Sequence, residues 1–241
     1  MQRILCSALF VCVAVAPMSA LRKPHLVSFG KWQTVRRFVD TPPPSMTDPQ
    51  NLPWAEPKKV DTKGVEFKIR TLYVDGQLKE STTGFAHEIT DRIFVVRRAY
   101  RVNDSLPAEE GKNTRWRWEL GGWLEVDRVT GRVSALNLPE FDASTSLASW
   151  YREYAGYCGV SDDGKKLHAM VVILGRRKPI VKALLGDANE RTREADCAAP
   201  TWQRQPAGIT FETGTSKVTY LVRGYAADLV PEEVEDDVPS E

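Results

Sequence analysis

From residue 65 onward, apolar and polar side chains alternate in short runs that end at turn-forming residues. The first run, VEFKIRTLYV (65–74), places Val65, Phe67 and Ile69 on one side of the chain and charged residues on the other. A repeat of two residues is typical of a β-strand with one buried face. An Asp-Gly pair at 75–76 follows, which is the strongest short hairpin signal. This region therefore predicts two antiparallel strands joined by a tight turn.

Similar runs continue to residue 230 and are separated by polar segments with glycine or proline, at 77–89, 92–102, 115–126, 132–138, 155–161, 165–174, 178–185, 207–213 and 217–230. Residues 26–39 form a further extended run, and residues 140–157 contain the most plausible helical turn, with a loop followed by a strand as the alternative. We predict an all-β protein of antiparallel sheets joined by hairpins, with little helix. A sandwich, a barrel and a partial propeller-like sheet all fit this pattern.

Two of the predicted hairpins resemble parts of propeller blades. The segment WLEVDRVTGRV (123–133) is similar to the Asp-x-x-x-Gly hairpin of quinoprotein-type blades. The segment GVSDDGKKLHAMVV (159–172) is similar to the Asp-Gly hairpin of blades in the TolB family. The chain is short for a closed ring of blades of about 40–45 residues each. The resemblance is confined to turn chemistry, and we carry no function over from it.

The first twenty residues have the pattern of a secretory signal peptide. Arg3 precedes an apolar run from Ile4 to Ala16, and small residues up to Ala20 follow it. This run is too short to span about 30 Å of hydrocarbon as a helix, but it fits the apolar region of an export signal. We predict cleavage of residues 1–20, export to the periplasm or out of the cell, and no integral membrane insertion after cleavage, with an uncleaved membrane anchor as the main alternative.

The remaining chain divides by composition into four parts. Residues 21–40 are predicted as an N-terminal strand segment, and residues 41–60 as a connector, because six prolines fall within positions 41–57. Residues 61–230 are predicted as the β-rich domain. Residues 231–241 are acidic with few apolar side chains, which predicts a disordered tail.

Loss of the signal peptide leaves two of the four cysteines, Cys158 and Cys197. Two thiols in one exported chain usually pair, so we predict a disulfide between them. The formal net charge of the full chain is only +1. A nearly neutral chain has no general electrostatic attraction for nucleic acid, and we predict no nucleic-acid partner.

The segment 157–175 holds the side chains from which reactive and metal sites are built, namely Cys158, Asp162, Asp163 and His168. Asp and Gly residues at this spacing also account for a hairpin turn, and we favour that interpretation. The three histidines, His25, His87 and His168, have no close spacing to one another, as a zinc site would require. We predict neither a metal nor another cofactor.

The segment RWRWELGGW (115–123) is the strongest candidate for a binding surface. In a strand, Trp116 and Trp118 project from one face, and Arg115 and Arg117 from the other. Exposed tryptophans form stacking platforms for sugar rings, and a nearby arginine adds cation–π attraction. The alternative is that these tryptophans and Trp123 are large core residues.

No nucleophile elbow, zinc-protease motif, phosphate loop or dinucleotide fingerprint occurs in the chain. With three histidines, the commonest general base is scarce. We therefore expect a non-catalytic exported protein that acts by contact with an envelope or extracellular protein. A carbohydrate-binding module using the tryptophans is the first alternative, and a carboxylate-dependent hydrolase is the second.

Overall fold

A computed structural model describes residues 23–37, 64–107, 114–188, 197–214 and 216–230. Within these ranges the chain forms fifteen strands and no helix. The strands are β1 (Val27–Phe29), β2 (Gln33–Arg37), β3 (Val65–Val74), β4 (Gln77–Glu88), β5 (Ile93–Asn103), β6 (Trp116–Asp127), β7 (Arg132–Leu136), β8 (Ala148–Tyr151), β9 (Tyr154–Val160), β10 (Lys166–Ile173), β11 (Val181–Asp187), β12 (Thr201–Arg204), β13 (Ala207–Glu212), β14 (Lys217–Arg223) and β15 (Ala226–Val230). All pairings are antiparallel, which confirms the predicted fold class.

The first sheet has seven strands and is strongly curled. β1 and β2 both pair with β3, and the order continues through β4, β5, β6 and β7. The two edges of this sheet approach each other, since Arg37 Nε lies 3.3 Å from Glu119 Oε2 and His25 N donates to Arg128 O at 2.7 Å. The curl encloses its own apolar cluster, which contains Leu72, Phe94, Val96, Leu124 and Val126.

The second and third sheets each have four strands, in the orders β11-β10-β9-β8 and β12-β13-β14-β15. The second sheet forms the middle layer of the molecule, because both of its faces are buried. Leu167, Ala169 and Val171 of β10 pack with Ile209 and Phe211 of the third sheet. The alternate residues Met170 and Val172 pack with Val95 and Trp123 of the first sheet. The architecture is thus a stack of three antiparallel sheets.

The predicted disulfide is confirmed, and it links the second sheet to the third. Cys158 lies on β9 and is almost fully buried. Cys197 precedes β12, and its backbone pairs with that of Thr213 in an isolated β-bridge. The two Cα atoms are 6.3 Å apart. Both cysteines belong to the apolar cluster between these sheets.

The helical turn predicted within residues 140–157 is limited to one turn, in which Ser146 N donates to Asp142 O at 2.8 Å. The residues after it form β8 and β9, as in the alternative of a loop followed by a strand. Asp142 Oδ1 accepts hydrogen bonds from Ser144 N at 2.6 Å and from Thr145 N at 3.1 Å. Ser146 Oγ donates to Cys158 O at 2.9 Å. The bonds to the Asp142 side chain cap this single turn, and the aromatic residues that follow pair in β8 and do not continue a helix.

The sequence pattern predicts one continuous strand in each of two runs, but the structure has two strands in each of them. The run 26–39 contains β1 and β2, and the break between them is fixed by the bond from Gly30 N to Thr71 O at 2.8 Å. The run 217–230 contains β14 and β15, which turn at Gly224 with φ of 58°. The predicted signal peptide (1–20), the predicted connector (41–60) and the predicted disordered tail (231–241) lie outside the described residues.

Candidate functional site

The segment 157–175 forms the predicted hairpin between β9 and β10. At its turn, Asp163 Oδ1 accepts hydrogen bonds from Ser161 Oγ at 2.5 Å and from Lys165 N at 3.1 Å. The bond from Ser161 is the main reason why the pKa of Asp163 is below its ordinary value. Gly164 has φ of 73°, which suits glycine. Two of the side chains that look reactive in the sequence, Cys158 and Asp163, therefore serve the cross-link and the turn.

His168 is bonded to a carboxylate that sequence reasoning missed. Its Nδ1 lies 2.9 Å from Glu140 Oε2, and Lys182 Nζ donates to the other carboxylate oxygen at 2.5 Å. Glu140 has φ of 56°, and its carbonyl oxygen accepts a hydrogen bond from Val160 N. Glu140 therefore ties the loop that precedes β8 to three strands of the second sheet. No local pattern signals this role, because the partners are distant in sequence.

A cavity of about 410 Å³ lies beside Glu140 and is lined by three carboxylates, Glu140, Asp142 and Asp162. The hydrolase alternative requires carboxylates in a shared cleft, and this cavity is one place where the described residues provide them. Burial raises the pKa of Asp142, but hydrogen bonds from Ser144 and Thr145 outweigh burial and leave the pKa below its ordinary value. A general acid requires the opposite shift. In the described ranges, no group of three His, Cys, Asp or Glu side chains could hold a metal ion.

We expect Asp142→Asn to flatten the acid limb of the stability curve. A carboxyl group whose pKa is lowered by folding stabilises the protein above its unfolded pKa, near pH 4, and this contribution is lost as the pH falls further. Urea unfolding at intervals from pH 6 to pH 3 measures the slope. Asp162→Asn, an exposed position in the same cavity, is the control. An identical slope in wild type and Asp142→Asn would contradict the expectation.

The register between β5 and β6 assembles an aromatic surface on the first sheet. Arg101 is paired with Trp118, and Asn103 is paired with Trp116. Paired residues of antiparallel strands have side chains on the same face. The Arg101 Cζ atom lies 5.4 Å from the Trp116 ring centroid and 5.6 Å from that of Trp118. We call Trp116, Trp118 and Arg101 the tryptophan platform.

The exposure of the tryptophans changes along this face. Trp116 is 55% exposed and Trp118 is half-buried. Trp123 is only 9% exposed, and its ring centroid is 5.4 Å from that of Trp150 on β8. The second sheet therefore covers the Trp123 end of the face and leaves the Trp116 end open.

Of the five predicted platform residues, the structure brings Trp116 and Trp118 together and places the other three elsewhere. Trp123 is part of the core between the first and second sheets. Arg117 forms an ion pair with Asp104 at 3.3 Å, and Arg115 is exposed. Arg101 was missed, because it belongs to the preceding strand and only the register of β5 against β6 reveals the contact.

A second exposed aromatic cluster lies near the edge of the first sheet. Trp32, Lys68, Thr83, Gly84 and Phe85 line a notch of about 390 Å³. The ring centroids of Trp32 and Phe85 are 6.1 Å apart in an edge-to-face arrangement. Phe85 is 85% exposed and follows Gly84, whose φ of 67° marks an irregularity in β4. We call this cluster the Trp32–Phe85 notch.

No protein-family model matches the chain, and no curated protein and no solved structure is significantly similar to it. The fold and the surface alone therefore define the class of protein. It is a disulfide-linked stack of three antiparallel sheets that exposes aromatic clusters. In the described part of the chain, the structure contains no helix that could serve as a membrane span.

Proposed function

We propose that the protein is an exported, non-catalytic binding protein that contacts glycans through the tryptophan platform. The observation that carries the proposal is the open face of Trp116, which is 55% exposed at the first position of β6 and lies beside Arg101. Most tryptophan side chains are largely buried, because the ring contributes so much apolar area to a core. An exposed tryptophan on a rigid sheet is suited to recognition.

The chemistry of the platform fits a sugar ring. The C–H groups on one side of a pyranose form a flat apolar surface that stacks on an indole ring, while its hydroxyl groups stay available for hydrogen bonds. Trp116 and Trp118 are two residues apart on one strand, so that their side chains project from the same face. The guanidinium of Arg101 supplies hydrogen-bond donors at the edge of this surface.

Export is part of this proposal. It is supported by the signal-peptide pattern of residues 1–20 and by the disulfide between Cys158 and Cys197, because disulfides persist in oxidising compartments. An exported binding protein would meet glycans in the periplasm or outside the cell.

Trp116→Ala is expected to weaken glycan binding by about tenfold or more, since the variant loses one aromatic stacking surface. Titration of a panel of plant, bacterial and animal oligosaccharides, followed by tryptophan fluorescence and calorimetry, measures the affinity. Trp32→Ala removes an exposed tryptophan from a different place on the first sheet and serves as the matched control. A wild-type protein that binds no member of the panel would contradict the proposal.

Contact with another protein is the second candidate function, and the Trp32–Phe85 notch favours it. Aromatic side chains that fill a partner's pocket dominate many interfaces. Phe85 is the most exposed of the large apolar residues in the described ranges. A photoreactive phenylalanine analogue at position 85 should give one reproducible cross-linked protein in the native host, and the same analogue at the exposed Tyr225 should not. The same product from both positions would contradict this candidate.

A further inference from the structure

Arg101 and Arg70 differ from most arginines of the first sheet, because they contact aromatic rings without a carboxylate partner among the described residues. Within the described ranges, most of the other arginines of this sheet pair with a carboxylate, as in Arg36–Glu66, Arg37–Glu119, Arg92–Asp127, Arg98–Glu80, Arg117–Asp104 and Arg128–Glu88. The contacts of Arg101 among the described residues are the rings of Trp116 and Trp118. No carboxylate of the described residues therefore pairs with the positive charge of Arg101.

The Arg101 guanidinium lies within cation–π distance of both rings, and its N–H groups donate to no other side chain among the described residues. The five N–H donors lie in the plane of the group, and ring contact involves the face of that plane. A carboxylate accepts two parallel hydrogen bonds from such an edge, in a geometry that neither a hydroxyl nor an amide reproduces. The aromatic contacts also restrict the arginine side chain, so that less conformational entropy is lost when an anion binds.

We infer that the tryptophan platform is specific for acidic sugars, with the ring of a uronic acid stacked on Trp116 and its carboxylate bound by Arg101. This inference rests on the proposed glycan-binding function and names the class of glycan. The two parts of the site match the two parts of a uronic acid, namely a flat C–H face and a carboxylate on the same ring. A neutral sugar would satisfy the tryptophan but would offer no carboxylate to Arg101.

The test compares uronic acid oligomers with their carboxyl-reduced counterparts, which have the same linkages and lack the charge. Hexamers of α-1,4-galacturonate and β-1,4-mannuronate, together with both reduced forms, are titrated into the full mature chain. We expect the wild-type protein to bind at least one uronate hexamer about tenfold more tightly than its reduced form. Arg101→Gln should reduce this ratio to within about twofold while binding of the reduced form is retained.

Two further variants separate local recognition from general charge. Arg177→Gln removes the same charge from an exposed turn between β10 and β11 and should keep the wild-type preference. Arg101→Lys keeps the charge without the planar fork and should give an intermediate ratio. The thermal unfolding midpoint of each variant reports whether the fold is intact, which is expected because Arg101 is exposed.

The outcomes distinguish this inference from the proposed function. Equal binding of acidic and reduced hexamers by the wild-type protein would overturn the inference and leave glycan binding supported. A preference for uronates that persists in Arg101→Gln would also overturn it, because the carboxylate would then be recognised elsewhere. Absence of binding to every acidic and neutral oligomer would overturn both the inference and the proposed function.

Discussion

Gly156→Ala is expected to destabilise the protein by about 2–3 kcal/mol, because a methyl group at this position has no room. A Cβ atom built on Gly156 would lie 1.9 Å from Ile209 Cδ1. Gly156 is on β9 in the middle layer, and Ile209 is a fully buried residue of the third sheet. The contact lies between two sheets whose separation is set by many other side chains, so that neither sheet moves away without loss of packing.

A second substitution tests whether this single contact is responsible. Ile209→Val removes the Cδ1 atom and should cost about 1 kcal/mol alone. The double variant should lose less stability than the sum of the two single variants' losses, with a coupling free energy of about 1–2 kcal/mol. Urea unfolding followed by fluorescence provides all four values. Gly122→Ala is the control, since no heavy atom lies within 4 Å of its added Cβ and its φ is not positive. Similar effects at positions 156 and 122 would show that the packing argument is wrong.

Removal of the disulfide by Cys158→Ala with Cys197→Ala is expected to lower the free energy of unfolding by about 4 kcal/mol. The two cysteines are separated by 39 positions, and the cross-link reduces the chain entropy of the unfolded state by the amount expected for a loop of this size. Because the bond joins the second and third sheets, its loss should mainly affect their association.

Denaturant unfolding with and without a thiol reductant measures this contribution. The reductant should lower the stability of the wild-type protein towards that of the double alanine variant and should leave the variant unchanged. Mass spectrometry of protein purified from the exported fraction, after alkylation without reduction, reports the state of the thiols. Alkylation of both cysteines in folded protein would refute the expectation.

The local parts of this fold follow from the sequence because their causes are local. The strand at 65–74 has the bounds that its alternating pattern predicts, and the turn after it has positive φ at both Asp75 and Gly76. In the turn between β6 and β7, Asp127 Oδ1 accepts hydrogen bonds from the nearby Val129 N and Thr130 N. Each of these features depends on residues within a few positions of one another, so that a single stretch of sequence contains the full cause.

The break between β1 and β2 was not predicted, because it depends on a partner strand. Gly30 sits beside Tyr73 and Thr71 of β3, and residues on either side of it pair with different parts of that strand. The sequence left the segment before β8 open between a helical turn and a loop for a similar reason. Its form is stabilised by Arg97, whose guanidinium donates to Ala143 O and Ser146 O from a strand more than forty residues earlier.

The sequence by itself determined the all-β class, most of the hairpins, the pair of cysteines and the tryptophan-rich strand as the candidate surface. Only the tertiary structure decided which of those tryptophans meets solvent. Trp116 and Trp123 lie on the same strand, and the second sheet covers one and leaves the other exposed. It also decided that Arg101 stands beside Trp116 and Trp118, through the register of β5 against β6. The physical reason is that side-chain alternation depends on each residue's own neighbours in the chain, whereas burial and cross-strand contacts depend on how separate strands and sheets pack.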